Sequence, residues 1–457
     1  MANSRKSPKS NALLAHVTAI VKQHVKRGDR LVAGLSGGVD SVVLLELLRR
    51  LSKTLHFDLA ALHVNHQINP SSGRFAAFCR AFCKSHAIPL TVVRVTVARG
   101  NSLEAAARAA RYHAFAKLPA DFIALAHNLD DQAETVFLQL LRGAGVKGLS
   151  AMPIVREGKG EKNRLAPYAS RLTPSILRPL LEIPRSEIEA YARSRKLEWI
   201  EDDSNADTAF DRNFLRHRVL PVVAQRYPSY RKTLLRTSRN FAEAAQLLDE
   251  LASADARLTA RGLNIAALRA CSAARAKNVL RHFLALHGVL MPNAARLDEC
   301  VRQVLREPRA NRLAIDLDGH TLRRFADELR VVPKSRALAR DFTRRWNGES
   351  KLHLPELGGT LILKKCRGAG ISLAKLSAQP AIVRVRQGGE RFRPHPRRPR
   401  RSLKNLLQEA RVPPWLRDRL PFLFVGEALV YVPGIGVDSE FQAAAGEPGM
   451  QPQWQAD

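Results

Sequence analysis

Four short apolar runs, at 31–35, 59–64, 90–95 and 122–126, are each bounded by polar or glycine-containing turns. Their length suits strands buried on both faces. Between them, apolar residues recur with helical spacing over 39–51, 74–86 and 103–118. Asn101, followed three residues later by Glu104, has the form of a capping pair for the last of these helices. Strands alternating with helices predict an α/β fold with an open, mostly parallel sheet and helices on both faces. Ligands of such sheets bind beyond the carboxyl ends of the strands. Gly34-Leu35-Ser36, His63-Val64-Asn65-His66 and Ala126-His127-Asn128 all fall at such ends.

The pattern then changes. A helix is expected over 131–141, and the charged, aperiodic stretch 156–174, with its Gly and Pro, reads as an exposed loop. Helical spacing returns over 185–196 and 213–223, and residues 230–307 are rich in Ala, Leu and Arg with few strand signals. Leu313 to Gly319 suggests a hairpin, and β-like runs at 360–363, 382–385 and 428–432 mark a third unit. The expected division is 1–215, 216–350 and 351–457: an α/β domain, a helical middle domain and a small α+β C-terminal domain.

Charge narrows the partners. A formal net charge of +32 over 457 residues favours a polyanion, whose phosphates would release counterions on binding. The basic residues do not gather on one long amphipathic helix, and no apolar run is long enough to span a bilayer, so no membrane partner is expected. Five cysteines (Cys79, Cys83, Cys271, Cys300 and Cys366) are odd in number and scattered, which fits a reducing cytoplasm better than a disulfide framework.

The chemistry is concentrated in Ser36-Gly37-Gly38-Val39-Asp40-Ser41, after a strand and opening a helix. Paired glycines let the backbone turn tightly and bring N–H groups to a phosphate, and the helix start adds unpaired donors. Ser36 and Ser41 add hydroxyls, Asp40 can bind Mg²⁺ on the phosphates, and the Gly-Lys-Ser/Thr ending of a Walker loop is missing. This hexapeptide resembles the signature of the N-type PP-loop ATP pyrophosphatases, which cleave ATP between the α- and β-phosphates. Further stretches resemble the bacterial tRNA(Ile)-lysidine synthase family. They are Leu62 to His66, Ser102 to Arg108, Ala126 to Thr135, Glu201 to Asn205 with Arg212-Asn213, Gly389 to Phe392 and Leu403 to Leu406. The resemblance spans nearly the whole chain.

It implies a Rossmann-like PP-loop domain that uses ATP and Mg²⁺ to adenylate the C2 carbonyl of the cytidine at the first anticodon position of tRNA(Ile). The ε-amine of free L-lysine then displaces AMP, giving lysidine. On this basis Ser36, Gly37, Gly38, Val39, Asp40, Ser41 and His63 are expected to hold ATP, with Asp40 on the metal. Asp131 and Glu134, three apart on one helix face, are expected to bind lysine and serve catalysis, with His127 in support. Arg108 and Arg111, also three apart, are candidates for the nucleotide phosphate or the activated base.

Each assignment has a duller counterpart. Asp130 and Asp131 would suit any helix's first turn, Arg108 and Arg111 would suit a solvated helix face, and His63, His66 and His127 would serve equally as hydrogen-bonded structural residues.

The two later domains would then grip tRNA. Residues 381–420 carry eleven Arg and one Lys against three acids, and Arg397, Arg398, Arg400, Arg401 and Lys404 are expected on RNA phosphates, with Phe392 and Trp415 as stacking surfaces. A homodimer stays open. The alternative is a PP-loop tRNA thiolase, but such enzymes generally carry sulfur on paired cysteines, and the sequence has no CxxC. A small-molecule amidotransferase would not need the basic third unit, and an RNA-binding module without catalysis would not keep the phosphate loop and the acid pair intact.

Overall fold

The computed structural model describes residues 8–67, 72–96, 103–158, 173–201, 207–259, 262–306, 313–334, 338–339 and 341–456. Asn101, residues 202–205 of the acidic run and residues 159–172 of the expected loop lie outside these. The chain forms two compact units, Met1–Asp255 and Ala256–Asp457.

The first unit runs α1 (Pro8–His24), β1 (Arg30–Gly34), α2 (Val39–Leu55), β2 (Asp58–Asn65), α3 (Ser72–Ser85), β3 (Leu90–Arg94), α4 (Leu103–Ala116) and β4 (Phe122–Ala124). It continues with α5 (Leu129–Leu141), α6 (Val146–Leu149), β5 (Val155–Arg156), β6 (Ser175–Leu177) and α7 (Arg185–Ser194). The four expected strands and the helices between them are all present. Their sheet is ordered β3-β2-β1-β4-β6-β5, parallel except for the edge strand β5. Strand order reverses between β1 and β4, so a crevice opens at their carboxyl ends. Helix α2 is buried on nearly every side, with Leu44, Leu45, Leu47 and Leu48 sealed from solvent among Val17 and Val21 of α1 and Ile188 of α7. The phosphate-loop motif is therefore anchored to the most deeply packed helix of the unit.

Beyond α7 the helix expected over 213–223 is interrupted. Helix α8 (Asp211–Phe214) passes into a π-helical turn, Leu215–Val219, before α9 (Leu220–Arg226). A π turn is a local insertion in the helical ladder and is common at functional sites. Helix α10 (Tyr230–Asp255), expected in the middle domain, packs instead on α5 and α6 and is pinned by a 2.7 Å Lys147–Asp249 ion pair. That packing carries the first compact unit to residue 255, beyond the division expected at 215.

The second unit opens with helices Ile265–Arg269, Ala273–Leu286 and Ala294–Arg306. Strands Ala314–Leu317 and His320–Phe325 form the expected hairpin, turning at Asp318-Gly319 with Gly319 at φ +69°. They join Glu328–Pro333 and Leu263–Asn264 in one antiparallel sheet. Two further antiparallel sheets, built around Phe422–Val425 and Gly359–Arg367, share a core that includes Leu361, Val383, Leu423 and Val430. Among the described residues no helix is long and apolar enough to cross a membrane.

Candidate active site

The loop after β1 is shaped by Ser41. Its Oγ accepts from the N–H groups of Ser36 and Gly37, both at 3.2 Å, and donates to the Gly38 carbonyl at 2.9 Å. Gly37 sits at φ +97°, which favours glycine, and a Cβ there would crowd Phe75 Cδ1 at 3.3 Å, so the backbone demands glycine and the space is tight. Gly38 caps α2 without any side-chain hydrogen bond to the helix. The first-turn N–H groups of α2 thus keep their anion-binding capacity, as the loop chemistry requires.

Opposite this loop stands the start of α5. Asn128 forms a capping box, its side chain accepting from Asp131 N–H and its own N–H donating to Asp131 Oδ2, each at 3.0 Å. The spare Asn128 Nδ2 donates to Asp40 Oδ1 at 3.2 Å, so one buried amide ties the loop carboxylate to the acidic helix. Burial, with Asp131 adding to it, pushes the Asp40 carboxyl up to about 6 against the pull of Arg185, Asn128 and Arg216. A carboxylate short of positive charge in this place suits a hard cation. Mg²⁺ needs only one or two protein carboxylates when phosphates complete its shell, so Asp40 fits the role.

Asp131 and Glu134 share a face, as their spacing predicts, and both touch Arg216. The Arg216 guanidinium donates to the two Glu134 oxygens at 2.6 and 3.0 Å and to Asp131 Oδ1 at 3.3 Å. Glu134 is only 1% exposed, and burial raises its carboxyl even against that guanidinium. Asp130 faces away. Arg231 Nε reaches it at 2.5 Å and the Arg185 N–H at 3.0 Å, so it fastens α7 and α10 to α5.

The histidines divide. His63 Nδ1 lies 2.9 Å from the Leu35 carbonyl, which can only accept, so that nitrogen carries the proton and Nε2 is left an acceptor. Burial, with Arg111 and His63 adding to it, holds His66 down to about 4. Burial and then four arginines hold His127 well below its ordinary value. Both therefore stand as neutral imidazoles, and the Nδ1 of each is buried without a hydrogen-bond partner. Cys79, packed under the loop, is pushed by burial up to about 12, which makes it an inert core thiol.

Arg108 lies along the Tyr112 ring, with its carbon 5.2 Å from the centroid, and Arg111 contributes positive charge beside His66 and His127. Reading the sequence did not single out Arg178, Arg216 or the bridging role of Asn128. Two signals were available: Asn128 stands three residues before Asp131, a capping spacing, and Arg178 interrupts the apolar run Ile176 to Leu181.

In the second unit the arginine-rich segment folds as a hairpin, Arg391–Phe392 against Arg401–Ser402. Arg397, Arg398 and Lys404 are exposed. Arg400 is engaged by Glu440 and Arg401 by Glu409. Phe392, expected as a stacking surface, is instead fully buried with Leu403, Leu407 and Phe422, because the hairpin needs an apolar anchor. Trp415 is partly open, edge-on to Phe325 at 5.9 Å and under Arg323.

Three family models match the chain: a PP-loop domain over residues 10–223, a TilS substrate binding domain over 263–330 and a TilS substrate C-terminal domain over 381–454. The tRNA(Ile)-lysidine synthase of Nitrosomonas europaea is 45% identical over 95% of this chain and 93% of its own length. The proteins of that name from Azoarcus sp. and Coxiella burnetii are 42% and 38% identical, over 93% and 91% of this chain and 91% and 90% of their own lengths.

Proposed function

The chain belongs to the tRNA(Ile)-lysidine synthase family, and from that premise we propose how its residues join free L-lysine to the first anticodon cytidine of tRNA(Ile). ATP lies with its outer phosphates on the first-turn amides of α2, Val39 to Ser41, beside the Gly37-Gly38 turn. The C2 carbonyl oxygen of the cytidine attacks the inner phosphate, and pyrophosphate leaves. The lysine ε-amine then attacks C2, and AMP departs with the oxygen it activated. Asp40 would hold Mg²⁺, which when bound offsets charge on the phosphates.

The observation that carries this reading is the acid pair, Glu134 buried and Asp131 half-buried, joined to the loop through Asn128 and already gripping a guanidinium. Arg216 stands where the lysine ammonium belongs. Lysine must share the pair with it or displace it, and Glu134, whose burial favours the neutral acid, is placed to accept the proton the amine sheds before attack. His127 lends a neutral imidazole just ahead of the Asn128 cap that holds Asp131. On the RNA side, Arg397, Arg398 and Lys404 of the second unit are left to meet phosphate, whereas Arg400 and Arg401 brace the hairpin. We assign the chemistry to residues 1–215 with the helices up to 255 that pack on them, and tRNA contact to 216–350 and 351–457.

Purified chain, ATP and tRNA(Ile), tested with each amino acid in turn, should release pyrophosphate and label the RNA only with lysine. Labelling from a sulfur donor, or sustained pyrophosphate release beyond one equivalent of tRNA that is indifferent to lysine, would overturn the assignment.

A further inference from the structure

Arg178 follows β6 and is 1% exposed, yet among the described residues it has no carboxylate partner. Nη1 donates to the Pro153 carbonyl at 2.8 Å, the Tyr112 hydroxyl lies within hydrogen-bonding reach, and Nε is buried with no partner at all. A buried cation without a counter-charge is costly, and a neutral side chain could serve one carbonyl and one hydroxyl equally well. Its neighbours make the imbalance worse. Arg156, on the edge strand β5 and exposed, lies 4.5 Å from the Tyr112 ring centroid, and exposed Arg108 lies 5.2 Å from it. Although burial acts the other way, these three guanidiniums hold the Tyr112 phenol below its ordinary value, which registers the positive potential of the place. The unpartnered Nδ1 of His127 lies within the field of Arg178 and Arg108.

The result is a cluster at the carboxyl end of β6, in which buried, unmatched Arg178 and exposed Arg108 and Arg156 gather about Tyr112. We propose that this cluster is a phosphate seat, separate from the backbone loop after β1, with Arg178 as its buried member and Arg108 and Arg156 as its exposed ones. The proposal rests on the functional reading above, which brings two phosphate sources to this crevice: the inner phosphate of the nucleotide and the RNA backbone beside the reacting cytidine. A guanidinium presents a planar fork that suits either.

The test titrates the full chain, and its Arg178→Met and Arg156→Gln variants, with two probes. One is AMP, and the other is an anticodon stem-loop with cytidine at its first position. Affinity for one probe should fall at least about tenfold in Arg178→Met and about threefold in Arg156→Gln, and the probe affected names the source. The melting temperature of ligand-free Arg178→Met should equal or exceed that of the parent, since an unmatched buried charge has been replaced by an apolar side chain. Both probes binding both variants within twofold would overturn the seat. If Arg178→Met does not fold, exposed Arg156→Gln decides on its own. Lysine-dependent pyrophosphate release by the parent chain is measured in parallel, so a failed seat is told apart from a failed functional reading.

Discussion

In the catalytic unit Glu134 is sealed from water and gripped on both oxygens by Arg216, while in the C-terminal unit Glu409 meets Arg401 on an open surface. The two pairs look alike in their hydrogen bonding but differ physically. Water can replace either partner of the exposed pair, so that pair adds little beyond positioning its hairpin. Nothing replaces Arg216 on Glu134 unless another cation arrives. Buried charges in this molecule are committed to one another or to a ligand, whereas the surface arginines form a reservoir from which only some are free to bind.

The largest effect that would sharpen this contrast belongs to the crevice. Asp40→Ala should lower ATP turnover by at least about 100-fold while leaving tRNA affinity within a factor of a few, measured by pyrophosphate release and filter binding. Turnover close to the parent's would break the claim that this carboxylate acts on the phosphates. Arg216→Ala, which strands a sealed carboxylate, should reduce stability by roughly 3 kcal/mol, at the low end for a buried pair because Arg216 is itself partly open. The shift of a urea midpoint reads this, and adding Glu134→Gln should recover most of the loss. If the double variant is no better than the single one, the charge account fails.

On the surface the expectations are smaller. Replacing Arg397 and Arg398 together by Ala should lower the slope of log affinity against log salt by about 0.7–0.9 for each phosphate left unneutralised. Arg400→Gln or Arg401→Gln should move that slope less than either of those residues does, because Glu440 and Glu409 already occupy their guanidiniums. Equal slopes for all four arginines would erase the division between free and engaged charges.

The sequence reached the sheet, its connecting helices and the phosphate loop because these depend on local pattern: apolar runs of strand length, helical spacing and a glycine pair at a junction. It missed β5 and β6, because β5 runs into the stretch read as a loop and Arg178 cuts short the apolar run of β6. Spacing set Asp131 and Glu134 on one helix face, but the guanidinium that Glu134 meets comes from 82 residues further along, a distance no local pattern encodes. Arginine counting had the same weakness in the hairpin. Composition reports how many charges there are, while pairing with Glu440 and Glu409 decides which remain available, and Phe392 went to the core because one face of every hairpin must bury something.

The π turn at Leu215–Val219 has a consequence for how the chain tolerates length changes. It holds one residue more than a regular α-helix would accommodate. Deleting a single residue there would leave the backbone a more ideal spiral, yet swing the arginine side chain by about 100° around the axis. An indel that protein engineers would expect to be harmless, or even tightening, would therefore strip the acid pair of its resident cation. Such a shortened chain should lose stability much as Arg216→Ala does, because Glu134 is left sealed without its cation.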